Sequence, residues 1–541
     1  MKKLLIIYIL IFISNLAFSQ IVTKVKDFKL SNIQFKVYKK SEFQKDYVQV
    51  VINPNKSKNP ASNIITDILT VGDTVWFSTE SGLMRTTDHF STFDSYYGFA
   101  PFGNDGIAGL AIMNNLVVVS TATNQEISGE NIQVGTGIKV STDAGFTWNS
   151  FSQPVDGRYD TTIIYGSNVI SALPVVVPQQ NVSFDIKITR TKNDLTNYTI
   201  WIASWGGELR KSTDYGNTWQ RVVLPPDDLD SININDTGYT FSVDVRHNFN
   251  HTPFSIAVSN DSTIYVGTAN GINKSTDWGL SWRKFNFKNS GTGTNKVSGD
   301  FVVNMYIQRY NGKEIVWGAT KKAEDPKEIN AVSYSSNGGL SWAYTLADIA
   351  PNNISSIDSI VYAQTDGGLW IAMFPSFDWS KPGLIYDETT KDQLKTNTFF
   401  SGGNQNDTIY FGSGDGLIRT IENGQAWANK WKIFRAIQPI DLNSKLKTYA
   451  APNPFAPNTE ITRIYYKTGK PSSKITIKIF DFGMNPVRTV IQNAVRNSPE
   501  ELFTLWDGKN NNGNQVANGV YFYRVEVDSD TPVWGKILVM Q

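Results

Sequence analysis

The chain has 541 residues, with 50 Lys and Arg against 49 Asp and Glu, so its formal net charge is +1. This even balance provides no single-sign field to gather nucleic acid or coat an anionic membrane, and we predict neither partner. The chain has no cysteine for disulfides or thiolate chemistry, and His89, His247 and His251 come from separate segments, so we expect no metal or cofactor.

The first predicted element is a secretory signal over residues 1–19. Lys2 and Lys3 form its charged start, residues 4–13 are an apolar run, and residues 17–19 supply the small residues of a cleavage site. The run is short for a membrane span, although an uncleaved anchor is the alternative. We therefore expect export, with the mature protein at the surface of a Gram-negative bacterium or outside it.

The signal is followed by an extension over residues 20–59, which is a candidate for the closing strand of the next domain. Over residues 60–435 an eight-residue box then recurs. Its regular copies are 141–148, 212–219, 275–282 and 335–342, and two decayed copies are 86–93 and 420–427. The box positions to which we assign structural roles are Asp88, Asp143, Gly145, Trp148, Asp214, Gly216, Trp219, Asp277, Gly279, Trp282, Asn337, Gly339, Trp342 and Trp427.

The residue types of the box predict a tight turn between two strands. An Asp or Asn side chain accepts hydrogen bonds from backbone N–H groups just ahead of it, and the Gly two positions later permits a positive φ. The final Trp offers a large apolar face to neighbouring sheets. Nothing in the box requires reactive chemistry, so we interpret it as a structural turn.

Short apolar runs with the same period precede the boxes and predict strands. Seven runs end in small residues, at 75–79, 116–120, 200–204, 264–268, 315–319, 369–373 and 409–413, and we interpret each as the second strand of a unit. A Gly then opens the third strand, as at Gly82 and Gly271, and Gly383 takes this place before Asp387. The pattern predicts an all-β propeller of seven four-stranded blades, with residues 150–181 as an insertion or, alternatively, an eighth degenerate blade.

The Ser-x-Asp-x-Gly-x-Thr-Trp box resembles the Asp-box (BNR) repeat of sialidase-like β-propellers. The resemblance covers residues 60–435 and implies that fold. It says little about function, because the boxes of that family lie at the outer edge of the propeller, away from the active-site channel.

After a predicted linker over residues 436–450, residues 451–541 show short strands and polar turns that predict an Ig-like β-sandwich. The opening Pro-Asn-Pro-Phe, the Trp-Asp-Gly turn and the Gly-Val-Tyr-Phe-Tyr strand resemble the Ig-like domain of the flagellar hook-capping (FlgD) family and type IX secretion sorting domains. The resemblance implies contact with secretion machinery. Asp507 opens an Asn-rich turn, but Lys509 occupies one ligand position of a calcium loop, so we predict no calcium site.

Two classes of function remain open on the sequence. Trp205, Trp278 and Trp379 fall in predicted loops or turns and could stack on sugars, which favours a non-catalytic binding or scaffold module for a glycan or surface protein. The alternative is a glycoside hydrolase of the sialidase-like or xyloglucanase-like type. The arginines and carboxylates of the chain match no motif of these hydrolases, so we assign no catalytic residue. The residues considered for that alternative are Arg85, Arg190, Arg246, Arg309, Asp227, Asp228 and Asp230.

Overall fold

The computed structural model describes residues 48–51, 54–127, 130–390, 392–422, 431–436, 448–457, 461–496 and 501–540. Within these ranges the chain forms β-strands and one short 3-10 helix, Phe249–His251, which confirms the all-β class. None of the described residues belongs to a helix long and apolar enough to cross a bilayer. The expected signal sequence, Trp427 and most of the predicted linker lie outside the described residues.

The larger part of the described chain consists of seven antiparallel sheets, each built mainly from strands that follow one another in sequence. Two short strands, β1 (Val48–Val51) and β2 (Asn55–Ser57), precede them. Sheet 1 contains β3 (Ile65–Val71), β4 (Thr74–Thr79), β5 (Gly82–Thr86) and β6 (Phe93–Ser95), and sheet 2 contains β7 (Gly106–Met113), β8 (Leu116–Ile127), β9 (Glu130–Ser141) and β10 (Thr147–Phe151). After the hairpin β11 (Thr162–Tyr165) and β12 (Asn168–Ala172), sheet 3 contains β13 (Ser183–Thr191), β14 (Asp194–Ser204), β15 (Glu208–Ser212) and β16 (Gln220–Arg221).

The remaining four sheets follow in the same manner. After β17 (Ser231–Ile232) and β18 (Ser242–Val243), sheet 4 contains β19 (Pro253–Asn260), β20 (Thr263–Thr268), β21 (Gly271–Ser275) and β22 (Trp282–Phe285). Sheet 5 contains β23 (Phe301–Tyr310), β24 (Lys313–Lys321), β25 (Ala331–Ser335) and β26 (Ala343–Thr345). Sheet 6 contains β27 (Pro351–Ile357), β28 (Ile360–Thr365) and β29 (Gly368–Met373), and after the pair β30 (Tyr386–Asp387) and β31 (Asp392–Gln393), sheet 7 contains β32 (Phe399–Gln405), β33 (Thr408–Ser413), β34 (Gly416–Ile421) and β35 (Lys432–Phe434).

The first strands of the seven sheets contact one another in cyclic order. β3 contacts β7, each later first strand contacts the next, and β32 returns to β3, so the contacts close a ring. The small residues at the ends of the second strands make this packing possible. A Cβ at Gly267 of β20 would lie 2.7 Å from a side-chain carbon of Val302, and one at Gly412 of β33 would lie 2.4 Å from the carbonyl of Ile65. We interpret the ring as the predicted propeller.

The described part of the N-terminal extension does not close the ring. β1 pairs with β10, at the outer edge of sheet 2, and β2 pairs with β6, at the outer edge of sheet 1. Sheet 7 takes its four strands from one continuous segment and meets sheet 1 through side chains, including a 2.6 Å hydrogen bond from the Thr70 hydroxyl to the carbonyl of Asn404. The described residues of the extension therefore add outer strands to sheets 1 and 2, and residues 20–47 of the candidate closing strand lie outside the described residues.

The segment between β10 and β13 folds outside the ring. Its hairpin β11–β12 pairs in parallel with β18, and the Tyr165 hydroxyl donates to the carbonyl of Leu280 at 2.8 Å. β7 and β13 contact each other directly, so no described sheet lies between sheets 2 and 3. This arrangement favours the interpretation of residues 150–181 as an insertion.

Sheet 6 corrects our assignment of its strands. Residues 369–373 were expected to form its second strand, but they belong to β29, which is the third. Gly368, at φ +129°, opens that strand in the manner that we expected of Gly383. The sequence pattern suggested the wrong strand because no box follows β29. Asp387 lies in the separate pair β30–β31.

The C-terminal residues form a two-sheet sandwich. One sheet has the order β36 (Thr448–Ala451), β37 (Thr462–Lys467), β40 (Glu501–Trp506), and the other has β39 (Pro486–Arg496), β38 (Ser473–Phe480), β41 (Gly519–Val527), β42 (Val533–Val539). Its core packs aromatic rings such as Trp506 and Tyr523 against isoleucines of both sheets. β36 begins at Thr448, so it includes the last three residues of the predicted linker. The strand β40 was not predicted.

Candidate functional site

The boxes form hydrogen-bonded turns between the third and fourth strands of their sheets. In sheet 2, Asp143 Oδ1 accepts the N–H groups of Phe146 and Thr147 at 3.1 and 2.8 Å, and Oδ2 accepts the Thr147 hydroxyl at 2.6 Å. Burial works to raise the pKa of Asp143, but these bonds outweigh it and hold the pKa below its ordinary value. Gly145 has φ +89°, as the turn requires.

The other boxes repeat these contacts. Asp214, Asp277 and Asn337 each accept the backbone N–H four residues ahead, at 2.8 to 3.0 Å. The decayed copy keeps the same bond, from the N–H of Thr92 to Asp88 at 2.9 Å. The final tryptophans pack inward, with Trp148, Trp282 and Trp342 buried and Trp219 half-buried, and the box glycines Gly216, Gly279 and Gly339 all have positive φ.

A basic residue directly before the box joins neighbouring sheets, and we call this contact the latch. Arg85 donates to the carbonyl of Ala144 at 2.9 Å, and Lys274 donates to the carbonyl of Gly338 at 2.6 Å. In each case the acceptor is the fourth residue of the next sheet's box. Arg419 of sheet 7 makes the same bond to sheet 1, at 3.1 Å. The latch was not predicted, although a basic residue before the first hydroxyl of several boxes was a visible signal.

The three tryptophans proposed for stacking lie in different places and do not form one surface. Trp205 is 8% exposed and packs among the apolar side chains between sheets 2, 3 and 4. Trp278 is half-buried in the box turn of sheet 4, with Lys192 over its ring. Trp379 donates its indole N–H to the Thr345 hydroxyl at 2.9 Å. The ring of Trp205 is covered and cannot stack on a ligand in this conformation.

The arginines and carboxylates considered for hydrolysis are also dispersed. Arg85, Arg190 and Arg309 lie in β5, β13 and β23, which belong to three sheets. Arg246 pairs with Asp244, two residues away, at 2.7 Å. Of the acidic loop, Asp227 accepts the N–H groups of Phe249 and Asn250, and Asp230 accepts the Asn289 amide. These hydrogen bonds stabilise the folded conformation of the loop. Asp228 is exposed.

Two buried carboxyl groups, Asp300 and Glu328, lie at the loops that begin β23 and join β24 to β25. Asp300 accepts the N–H of Phe287 at 2.6 Å, and Glu328 accepts the N–H groups of Asp300 and Ala323 at 3.1 and 2.5 Å. Burial and the charge of Glu328 raise the pKa of Asp300 to about 7. Burial also raises the pKa of Glu328. These oxygens are therefore largely occupied by backbone donors.

A cavity of about 610 Å³ opens beside these carboxyls, and we call it the lysine cavity. It lies between the loop after β22, the loop joining β24 to β25, and β26. Its lining residues are Phe287, Lys288, Gly291, Thr292, Gly293, Thr294, Lys296, Asp325, Lys327, Ile329 and Tyr344. Lysine, hydroxyl and aromatic groups thus meet in one open site, whose volume is in the range of small-molecule sites.

Local geometry fixes the loop that forms one wall of this cavity. Gly291 has φ +147°, and a Cβ there would lie 1.9 Å from the carbonyl of Asn295. The N–H of Val297 donates to the Ser290 hydroxyl at 2.9 Å, and the N–H of Tyr344 donates to the carbonyl of Thr294 at 3.1 Å. No periodic signal marks this loop in the sequence, so the cavity was not predicted.

The described residues contain no group of three or more His, Asp or Glu side chains placed to hold a metal ion. His251 is buried, and its Nε2 lies 2.8 Å from the carbonyl of Leu224. Burial lowers the pKa of His251 to about 4. In the sandwich, Asp507 accepts the N–H of Lys509 at 3.1 Å within its own turn.

The sandwich contacts the propeller through a buried ion pair, which we call the docking pair. Arg463 of β37 lies 3.1 Å from Glu80, measured from Nε to Oε1, and the two side chains are 10% and 7% exposed. Arg463 also donates to the hydroxyl of Ser81, and the Ser62 hydroxyl donates to Glu80 at 3.0 Å. A second contact joins β39 to β9.

No protein-family model matches the chain, and no curated protein is similar to it. Solved structures are similar at low identity. PorZ, an essential surface component of the type-IX secretion system of Porphyromonas gingivalis, aligns with 87% of this chain and 64% of its own length, at 14% identity and a TM-score of 0.33. The GH74 enzyme of Niastella koreensis aligns with 90% of this chain and 74% of its own, at 13% identity and a TM-score of 0.47. YCF48 of Cyanidioschyzon merolae aligns with 70% of this chain and 98% of its own, at 11% identity and a TM-score of 0.39.

Proposed function

We propose that this chain is an exported, non-catalytic binding or scaffold module whose propeller holds a glycan or protein partner. The lysine cavity carries the proposal, because it offers an open site beside carboxyls that are buried and bonded to backbone N–H groups. Glycoside hydrolysis generally needs a pair of carboxyl groups that can reach the substrate, and the lining of the cavity supplies one, Asp325. Binding needs only the shape, charge and hydrogen-bonding groups that line the cavity.

The tests are a glycan array, a panel of fluorogenic glycosides and the capture of surface proteins, all with the purified full chain. We expect retention of a defined glycan class, or of a protein partner, without release of the fluorophore. Turnover that disappears in Asp300→Asn would instead support the glycoside hydrolase alternative, because the raised pKa of Asp300 is suited to a general acid. A chain that neither binds nor hydrolyses any member of either panel, and captures no surface protein, would contradict the proposed function.

We also propose that the C-terminal sandwich directs the chain to the cell surface. Support comes from the resemblance of its turn and strand motifs to sorting domains, and from its edge strands. The edge strand β40 is paired in its sheet on one side only, by β37, so its other side can offer backbone groups to a secretion machine, as edge strands commonly do.

A further inference from the structure

The lining of the lysine cavity contains more basic than acidic side chains. Lys288, Lys296 and Lys327 line it together with one aspartate, Asp325. Within the described residues, no ion pair joins any of these lysines to a carboxylate. Asp325 accepts the N–H of Lys327 at 2.9 Å, so one of its oxygens is engaged locally. The lining therefore carries a surplus of positive charge, which the buried Asp300, whose pKa Lys288 works to lower, offsets only in part.

The lysines are placed around apolar and hydroxyl groups. The Lys296 ammonium lies 3.2 Å from the centroid of the Phe287 ring, whereas Lys288 and Lys327 are exposed. Tyr344 adds a half-buried ring to the lining. An ammonium group binds an oxyanion, and an aromatic ring packs on the apolar face of a sugar ring. An acidic sugar presents both of these groups within one residue.

We propose that the lysine cavity binds a segment of an acidic polysaccharide, with its carboxylate or sulfate groups on Lys288 and Lys327 and a sugar ring against Tyr344. This inference rests on the proposed binding function and names its ligand class. An acidic peptide would use the lysines equally well, but it has no rigid apolar face to match the ring. The test therefore includes a peptide.

The experiment is titration calorimetry of the full chain at two salt concentrations. The ligands are oligogalacturonides, which carry carboxylates, sulfated dextran oligomers, unsulfated dextran oligomers of the same length, and an oligoglutamate peptide. We expect one or both acidic oligosaccharides to bind, with an affinity that falls as salt rises. The variant Lys288→Gln/Lys327→Gln should weaken that binding by about a hundredfold, because two charged hydrogen bonds are lost and each costs about tenfold.

The matched control is Lys313→Gln/Lys474→Gln, which removes the same charge from exposed lysines outside the lining. It should leave the affinity within about twofold, since only non-specific attraction is lost. An equal loss in both variants, tighter binding of the peptide, or no binding of any acidic oligosaccharide would overturn the inference. A neutral glycan or protein partner held equally well by the Lys288/Lys327 variant would overturn it while leaving the proposed binding function intact.

Discussion

At the scale of single residues, Asp300 places its carboxyl where charge is disfavoured. It is buried, and Glu328 adds a second carboxyl at the same loop junction, while Lys284 and Lys288 act in the opposite direction. The pKa of Asp300 rises from 3.8 to about 7, so between these values the folded chain holds a proton that the unfolded chain releases. Its contribution to stability is complete below about pH 4 and is lost as the pH rises through about 7.

We therefore expect Asp300→Asn to flatten the pH dependence of stability. The amide keeps the acceptor for the N–H of Phe287 and cannot ionise. Thermal unfolding from pH 4 to pH 8 should show the wild type losing stability relative to the variant, at up to about 1.4 kcal/mol for each unit of pKa shift. Asp228→Asn, at an exposed carboxyl, is the control. Parallel curves for the wild type and Asp300→Asn would contradict the prediction.

The sequence predicted the turn residues far better than the site residues. Asp143 and Gly145 act within a few positions of each other, so their spacing alone indicates their bonds. The residues of the lysine cavity come from three segments that meet only after the sheets have packed. Trp205 shows the same limit, because its burial depends on side chains of neighbouring sheets that its own segment does not specify.

At the scale of elements, the latch is the contact that the strand pattern alone did not reveal. Lys274 lies at the end of β21, stacks over the Tyr265 ring at 5.8 Å and bonds to the box of the next sheet. We expect Lys274→Met to keep the apolar stem and to lose about 1–2 kcal/mol of unfolding free energy through the missing bond. Chemical denaturation measures this loss of unfolding free energy. Lys313→Met, an exposed lysine of β24, should change stability little, and equal losses would remove the latch as a stabilising device.

Strand positions were largely predictable, because apolar runs between glycine turns must pair to satisfy their backbone. The errors fall where a local signal is missing. Sheet 6 lacks a box, so we assigned its third strand, β29, as its second. The strands β1 and β2 pair with partners about 100 and about 40 residues away, and their own sequences do not indicate those partners.

At the scale of the whole molecule, the docking pair couples two units that the polar linker suggested were independent. Burial raises the pKa of Glu80, and Arg463 and the Ser62 hydroxyl oppose this. Removing one member of a buried pair costs about 3–5 kcal/mol, since the other charge stays buried alone.

We expect Arg463→Met to release the sandwich, seen as faster limited proteolysis near the linker and a larger radius of gyration by X-ray scattering. Glu80→Gln/Arg463→Met should lose less stability than Arg463→Met, and unchanged proteolysis in Arg463→Met would contradict the docking.

The same variant separates docking from sorting. Deleting residues 451–541 should leave a folded propeller in the periplasm, whereas Arg463→Met retains the edge strands of the sandwich and should still reach the surface. Cell fractionation of the truncated chain and of Arg463→Met distinguishes these outcomes. Surface exposure of the truncated chain would contradict the sorting role.

The seam between sheets 1 and 7 sets the order in which the ring can form. Its contacts join residues far apart in the chain, such as Thr70 and Asn404, which are 334 positions apart. The stacking of Phe90 on Tyr410 crosses the same seam. The other six interfaces join sheets that are neighbours in sequence, so they close short loops, while the seam closes a loop as long as the propeller itself. Closure therefore waits for sheet 7, and until then the apolar inner surfaces of the two end sheets remain open to water and to other chains.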